Sequence, residues 1–231
     1  MIRFIEKVVN KILKRNISIN SEIPFGYILG VAIQRAAMII RGLFRGLFFK
    51  RKGINLFIGK KVTIRCKKLL EVGNNVSFQD YVLIDALSTE GIIVKDNVSI
   101  GIRTMIKTSG SLGIIGKGFK MGHDSAMGND CFVGAAGGVE IGDYVAIGQN
   151  VRFHSENHEY LNRNMLISEQ GVSNKGIIIG NDCWIGAGAV FLDGVTVGDG
   201  CVIGANSLVT KDIPAYSISV GSPARVVGER K

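Results

Sequence analysis

Ile179-Gly180-Asn181-Asp182-Cys183-Trp184-Ile185-Gly186-Ala187-Gly188-Ala189-Val190-Phe191-Leu192-Asp193-Gly194-Val195-Thr196-Val197-Gly198 is the stretch that decides the fold. Ile179, Ile185, Phe191 and Val197 stand six residues apart, and Ile203 and Val209 continue the step. An α-helix repeats its faces about every 3.6 residues and a strand every two, so neither alone keeps that beat. A solenoid of very short strands joined by corners does.

The same beat runs upstream through Met121, Met127, Val133 and Val139, then, offset by two, through Ile141, Ile147 and Phe153. Glycine follows the aliphatic residue in Ile141-Gly142, Ile147-Gly148, Ile179-Gly180, Ile185-Gly186, Val197-Gly198 and Ile203-Gly204, as a corner needing positive φ or close backbone approach requires. Asn and Asp, which tolerate the left-handed region, come next. Weaker copies reach back through Val94–Gly101 and Val72–Phe78 to Ile58-Gly59. With three hexads to a coil, residues 58 to 213 predict about eight or nine coils, a prism about 40 Å tall.

The 231 residues include 31 glycines but only 3 prolines, consistent with glycine at corners. Charge is unevenly placed. Residues 1 to 52 hold eleven Lys/Arg and two Asp/Glu, which equals the +9 of the whole chain, so the rest is neutral. The basic residues interleave with apolar ones and no nucleic-acid-binding motif is present, which argues against that class of partner.

That basic segment reads as two amphipathic helices. Ile2, Ile5, Val9 and Ile12 form one apolar stripe, and Leu29, Ile33, Ala36, Ile40, Phe44 and Leu47 another, with Arg35, Arg41 and Arg45 off it. The longest uncharged run, Ile23 to Gln34, is twelve residues. A span needs about twenty, so no transmembrane helix is predicted. Glu6 and Lys7 interrupt the first stripe and no small-residue cleavage site follows, so a secretory signal is not expected. Two readings stay open: the helices rest on an anionic membrane, or their apolar stripes cap the solenoid or pack between subunits. The sequence favours the second.

Cys131, Cys183 and Cys201 each fall four residues after a repeat aliphatic, where Val62, Val76, Val98 and Val145 also stand. They are predicted as small core residues. Cys183 and Cys201 are one coil apart, within disulfide reach, but a reduced state is expected. Cys66 falls where the register is undefined.

Between Phe153 and Ile179 the beat is absent for twenty-six residues, which reads as one coil of eighteen plus an eight-residue loop. The interruption opens with His154-Ser155-Glu156-Asn157-His158-Glu159-Tyr160 and holds two of the three histidines. The third, His123, is predicted at an exterior corner.

The hexads, the Ile179–Val190 stretch, Val209-Thr210-Lys211-Asp212-Ile213-Pro214 and Gly221-Ser222-Pro223-Ala224-Arg225-Val226-Val227 together resemble the hexapeptide-repeat acyltransferases. Within them the likeness is to the maltose and galactoside acetyltransferase type and its bacterial polysaccharide O-acetyltransferase relatives, over residues 58 to 231. The resemblance implies an all-β left-handed parallel β-helix, an exception to the usual crossover hand, and a homotrimer with sites between subunits. It implies an acetyl-CoA-dependent O-acetyltransferase with His158 as general base, five residues after Phe153. A neutral imidazole, with its reference pKa of about 6.5, can take the proton of a sugar hydroxyl that is otherwise a poor nucleophile. His154, Glu156, Glu159 and Asn150 are then candidate acceptor contacts, and Glu156 or Glu159 would orient the ring.

For acetyl-CoA as co-substrate, the resemblance points to Trp184, outside the prism, with Gly186, Ala187, Gly204 and Ala205 as small residues allowing close approach. Lys211 and Arg225 are phosphate partners or ordinary solvated charges. The His154/His158 pair lacks the three or four ligands a zinc site needs, so no metal is expected. The resulting division is a basic helical segment 1–52, a repeat domain 53–213 with an inserted loop at about 154–178, and a tail 214–231. The expected location is cytoplasmic, at the inner face of the membrane if residues 1–52 touch it. The alternatives are N-acetylation of an amino-sugar nucleotide and a non-catalytic hexapeptide scaffold.

Overall fold

The structure, a computed structural model, describes residues 6, 10, 11, 18–111 and 113–231. Three parallel sheets form the faces of a prism, and the chain visits them in rotation, so each strand hydrogen-bonds to the strand one coil away. Among the described residues the first face has seven strands, from Arg51–Lys52 through Ile177–Ile179 to Thr196–Val197. The second has nine, from Phe57–Ile58 through Trp184–Ile185 to Ser217–Val220, with Arg225–Glu229 added antiparallel at its end as the one exception. The third has seven, from Thr63–Arg65 through Arg152–His154 and Val190–Leu192 to Leu208–Val209.

This is the solenoid the six-residue beat predicts. Every residue of the deciding series, Ile179 to Val209, is buried in one core with Cys131, Cys183 and Cys201. Phe153 and Phe191, on adjacent coils, stack with ring centroids 4.9 Å apart. The coil count differs from expectation: the described residues form seven complete coils and a partial eighth that carries Ile213 and Ser217–Val220. Coils are longer than eighteen residues in most places. Phe119 pairs with Val139, twenty residues on, whereas Ile92 pairs with Phe119, twenty-seven on. Val139 pairs with Ile177, thirty-eight on. The interruption after Phe153 therefore contains no hidden coil, and its surplus leaves the prism as one arm.

The corners divide their labour. Glycines after the aliphatic residue are there for close approach rather than positive φ: a Cβ on Gly186 would stand 2.5 Å from the Ala205 nitrogen of the next coil. The left-handed residue comes two positions later, at Asn75, Asn97, Asp124, Asp130, Asn150, Asp182 and Asn206. Between them, a side chain links coil to coil. The Asp143 N–H donates to Asn181 Oδ1 (2.8 Å) and the Asn181 N–H to Asp199 Oδ1 (2.6 Å).

Before the first coil lies α1 (Phe25–Arg45). The expected earlier stripe of Ile2, Ile5, Val9 and Ile12 lies outside the described residues. α1 caps the prism with the face opposite to the expected one. Met38 and Gly42 are buried, and Gly42 packs so closely on the Leu56 carbonyl that a Cβ would overlap it. Arg41 Nε donates to the Ile58 carbonyl (2.7 Å) and Arg35 Nη1 to Ser77 Oγ (3.1 Å). Arginine can do this because its stem packs along apolar surface while the guanidinium reaches a backbone acceptor. The apolar stripe of Leu29, Ile33, Ile40, Phe44 and Leu47 faces outward instead. By length and composition alone, Phe25–Phe48 is long and apolar enough to cross a membrane, contrary to the reading from the uncharged run.

Candidate active site

Three features of the backbone carry His158 to the surface. Arg152–His154 is the last regular strand before the arm, with Phe153 inward and Arg152 and His154 outward. Ser155 then turns into the prism, fully buried. Its hydroxyl donates to the Gly134 carbonyl (2.9 Å) and accepts from the Gly137 N–H (3.0 Å), which pins the root of the arm. Asn157–His158 pairs antiparallel with Val172–Ser173, and the Glu159 N–H donates to the Gly171 carbonyl (3.1 Å). His158 is thus exposed on a short hairpin whose backbone is fixed from both sides.

A residue that sequence reasoning overlooked holds both ends of this arm. The Asp193 carboxylate accepts from the N–H groups of Lys175 (2.8 Å) and Gly176 (2.8 Å) at the return and from Asn157 Nδ2 (3.4 Å) at the departure. Its only sequence signal was an Asp-Gly pair inside the repeat. A second loop, from Thr108 to Gly118, was also overlooked. Gly110 comes within reach of Glu156, a Cβ there standing 3.4 Å from its carboxylate. The glycines at 110, 113, 116 and 118 and the twenty-seven-residue coil were its available signals.

The other expected residues divide by corner. Glu156 and Glu159 are half-buried beside His158, and among the described residues neither hydrogen-bonds its ring. His154 faces outward against Phe132, ring centroids 5.4 Å apart, and desolvation, with Arg152 nearby, holds its pKa below the ordinary value. His123 sits half-buried at a first-to-second corner, its N–H donating to Asp143 Oδ1 (2.6 Å).

Asn150 lies at the second-to-third corner, away from the hairpin. It joins the other group instead: the Gly188 N–H donates to the Gln149 carbonyl and the Asn206 N–H to the Ala187 carbonyl, stacking that corner over three coils. Gly186, Ala187, Gly204 and Ala205 line it, and Trp184, 61% exposed, projects from the adjoining second face. Arg225 is on the same face, in the terminal antiparallel strand. Lys211 is not; it follows Leu208–Val209 of the third face, at the corner that also bears the arm.

The arrangement offers a solvent-exposed imidazole on a held hairpin and, on another edge, a shelf of small residues beside one tryptophan. Among the described residues no three His, Cys, Asp or Glu side chains are grouped to hold a metal ion. Buried thiols add no nucleophile: burial pushes Cys183 up to about 11 and raises Cys131 and Cys201.

Residues 176–211 match the family model described as bacterial transferase hexapeptide (six repeats). The chain is 29% identical to the dTDP-4-amino-4,6-dideoxy-D-glucose acyltransferase of Escherichia coli over 187 residues, 79% of this chain and 83% of that one. To the galactoside O-acetyltransferase of Escherichia coli K12 it is 43% identical over 95 residues, 39% of this chain and 44% of that one. A solved galactoside acetyltransferase in complex with coenzyme A superposes with a TM-score of 0.53 at 30% identity, covering 60% of this chain and 65% of that one.

Proposed function

Since this chain belongs to the hexapeptide-repeat acyltransferases, we propose that it transfers an acetyl group from acetyl-CoA to a sugar hydroxyl of a surface polysaccharide or its precursor, with His158 as general base. The observation that carries this reading is the hairpin of Asn157–His158 and Val172–Ser173, which holds an imidazole in solvent at the only long arm of the prism among the described residues. In the reaction, the His158 imidazole takes the proton of the acceptor hydroxyl while that oxygen bonds to the thioester carbonyl carbon. As the carbon–sulfur bond breaks, the imidazolium returns the proton to the departing thiolate. Glu156 and Glu159 contact the acceptor, and corner N–H groups near Gly186 and Gly204 stabilise developing charge on the carbonyl oxygen.

His158 and the Trp184 shelf occupy different edges of one protomer. In this reading the site is completed between copies: the arm of one protomer reaches the shelf of the next in a homotrimer of left-handed prisms. The exposed arm residues Tyr160, Leu161, Leu166 and Ile167 are suited to that contact. Trp184 flanks the pantetheine arm, and Arg225 and Lys211 meet the nucleotide phosphates from neighbouring protomers.

His158→Ala is expected to lower acetyl transfer by about 10²–10⁴-fold in an assay of acetyl-CoA consumption against sugars and sugar nucleotides. Near-native turnover would overturn the mechanism. A second reading, N-acylation of an amino-sugar nucleotide, is favoured by one observation: the match to the amino-sugar acyltransferase covers 79% of this chain, against 39% for the galactoside O-acetyltransferase. Release of the acetyl group by hydroxylamine marks an ester and excludes the amide.

A further inference from the structure

We propose that the capped end of the prism docks on an anionic lipid bilayer, with α1 lying in the interface plane. The outward side of α1 and the turn after it present Tyr27, Ile33, Ile40, Phe44, Leu47 and Phe48, all more than half exposed. A groove between α1 and the first coil extends this apolar surface to Leu43 and Ile54.

The charge around that surface identifies the occupant. From Ile23 to Leu70, which covers α1 and the whole first coil, the sequence carries eleven Lys/Arg and no Asp or Glu. These cations are interleaved with the apolar groups: Lys67 Nζ lies 5.4 Å from the centroid of the exposed Phe48 ring, and Lys52 lines the groove beside Leu43 and Ile54. Three acids of the next coil reach back, Glu71 to Lys50 (2.8 Å), Asp85 to Arg65 (3.2 Å) and Asp80 to the Lys60 backbone N–H (2.6 Å), against eleven cations, so the rim stays strongly positive. A second copy docking through this face would bring like charge against like charge. Anionic headgroups complement the rim while the apolar stripe enters the headgroup boundary.

The geometry also separates lying on a membrane from spanning one. Met38 and Gly42 are buried against the prism, and Arg41 and Arg35 bond to Ile58 and Ser77. A spanning α1 would give up all four contacts and carry both guanidinium groups into hydrocarbon.

The test is sedimentation of the full chain with vesicles of phosphatidylcholine alone and of phosphatidylcholine with about one third phosphatidylglycerol, at about 0.05 M and about 0.5 M salt. Binding is expected with phosphatidylglycerol only, weakened at least about tenfold by salt, and lost in the double variant F44D/L47D. Both side chains point to solvent, so that variant keeps its circular dichroism and its turnover of a soluble acceptor. The proposal is overturned if the wild-type chain fails to sediment with phosphatidylglycerol vesicles at low salt, or if F44D/L47D binds them as well as wild type. A fall in the variant's oligomeric mass by light scattering would likewise overturn it, assigning the face to a second copy. Carbonate-resistant insertion would overturn it in favour of a span.

Discussion

Four cysteines occupy two environments, and their reactivities follow. Cys66 is exposed in a left-handed conformation, whereas the thiols of Cys131, Cys183 and Cys201 donate to backbone carbonyls inside the prism. A maleimide at neutral pH is expected to label one thiol in the native protein and four after denaturation, read by intact mass. Above pH 9 the sign is clear. An unfolded chain loses the Cys183 proton at its ordinary pKa while the native one holds it to about 11, so the unfolded state binds fewer protons and stability falls through that window. His154 gives the opposite slope at acid pH. Its native pKa is lowered, so the unfolded state binds more protons below about 6.5 and stability falls as pH drops. His154→Gln is expected to flatten that limb in denaturant titrations.

At the scale of elements, the arm and α1 are each held by few contacts. Asp193→Ala removes the acceptor for two backbone N–H groups, a loss of about 1–3 kcal/mol in the local stability of the arm. Faster hydrogen exchange at Lys175 and Gly176, together with a lower kcat, is the expected result. Gly42→Leu is expected to detach α1 while the prism stays folded, seen as loss of helical signal with the strand signal retained, because a side chain there overlaps the Leu56 carbonyl. These elements also mark where the sequence was legible. A six-residue beat reports which side chains enter a closed prism, so the core, its three cysteines and the exposed Trp184 followed from it. It does not report which side of an amphipathic helix meets that prism. Long arginines supplied the packing face of α1, and the cleaner apolar stripe was left outside. Nor does it report arm contacts such as Asp193, since a carboxylate that binds backbone nitrogens leaves no trace of its partners in sequence.

Across the whole molecule, stability is nearly a sum over neighbouring coils. Phe191→Ala removes one ring of the Phe153–Phe191 stack at the middle of the core and is expected to cost about 3–5 kcal/mol by denaturant unfolding. The His158 hairpin leaves the fifth coil, four coil rises or about 20 Å from the first coil that α1 caps. That offset suits an acceptor standing off from a lipid surface more than a headgroup within it.

The arm departs after His154 and returns at Ile177, and the strands on either side still pair in perfect sequence, Phe153 to Phe191 and Val139 to Ile177. One coil earlier the same corner is closed by four residues, Ala135-Ala136-Gly137-Gly138. The twenty-odd residues in between are thus a parenthesis in the chain, and grafting the short connection in their place should leave an intact column without the His158 hairpin. By the same logic, arms could be traded among such columns without rewriting the scaffold that bears them.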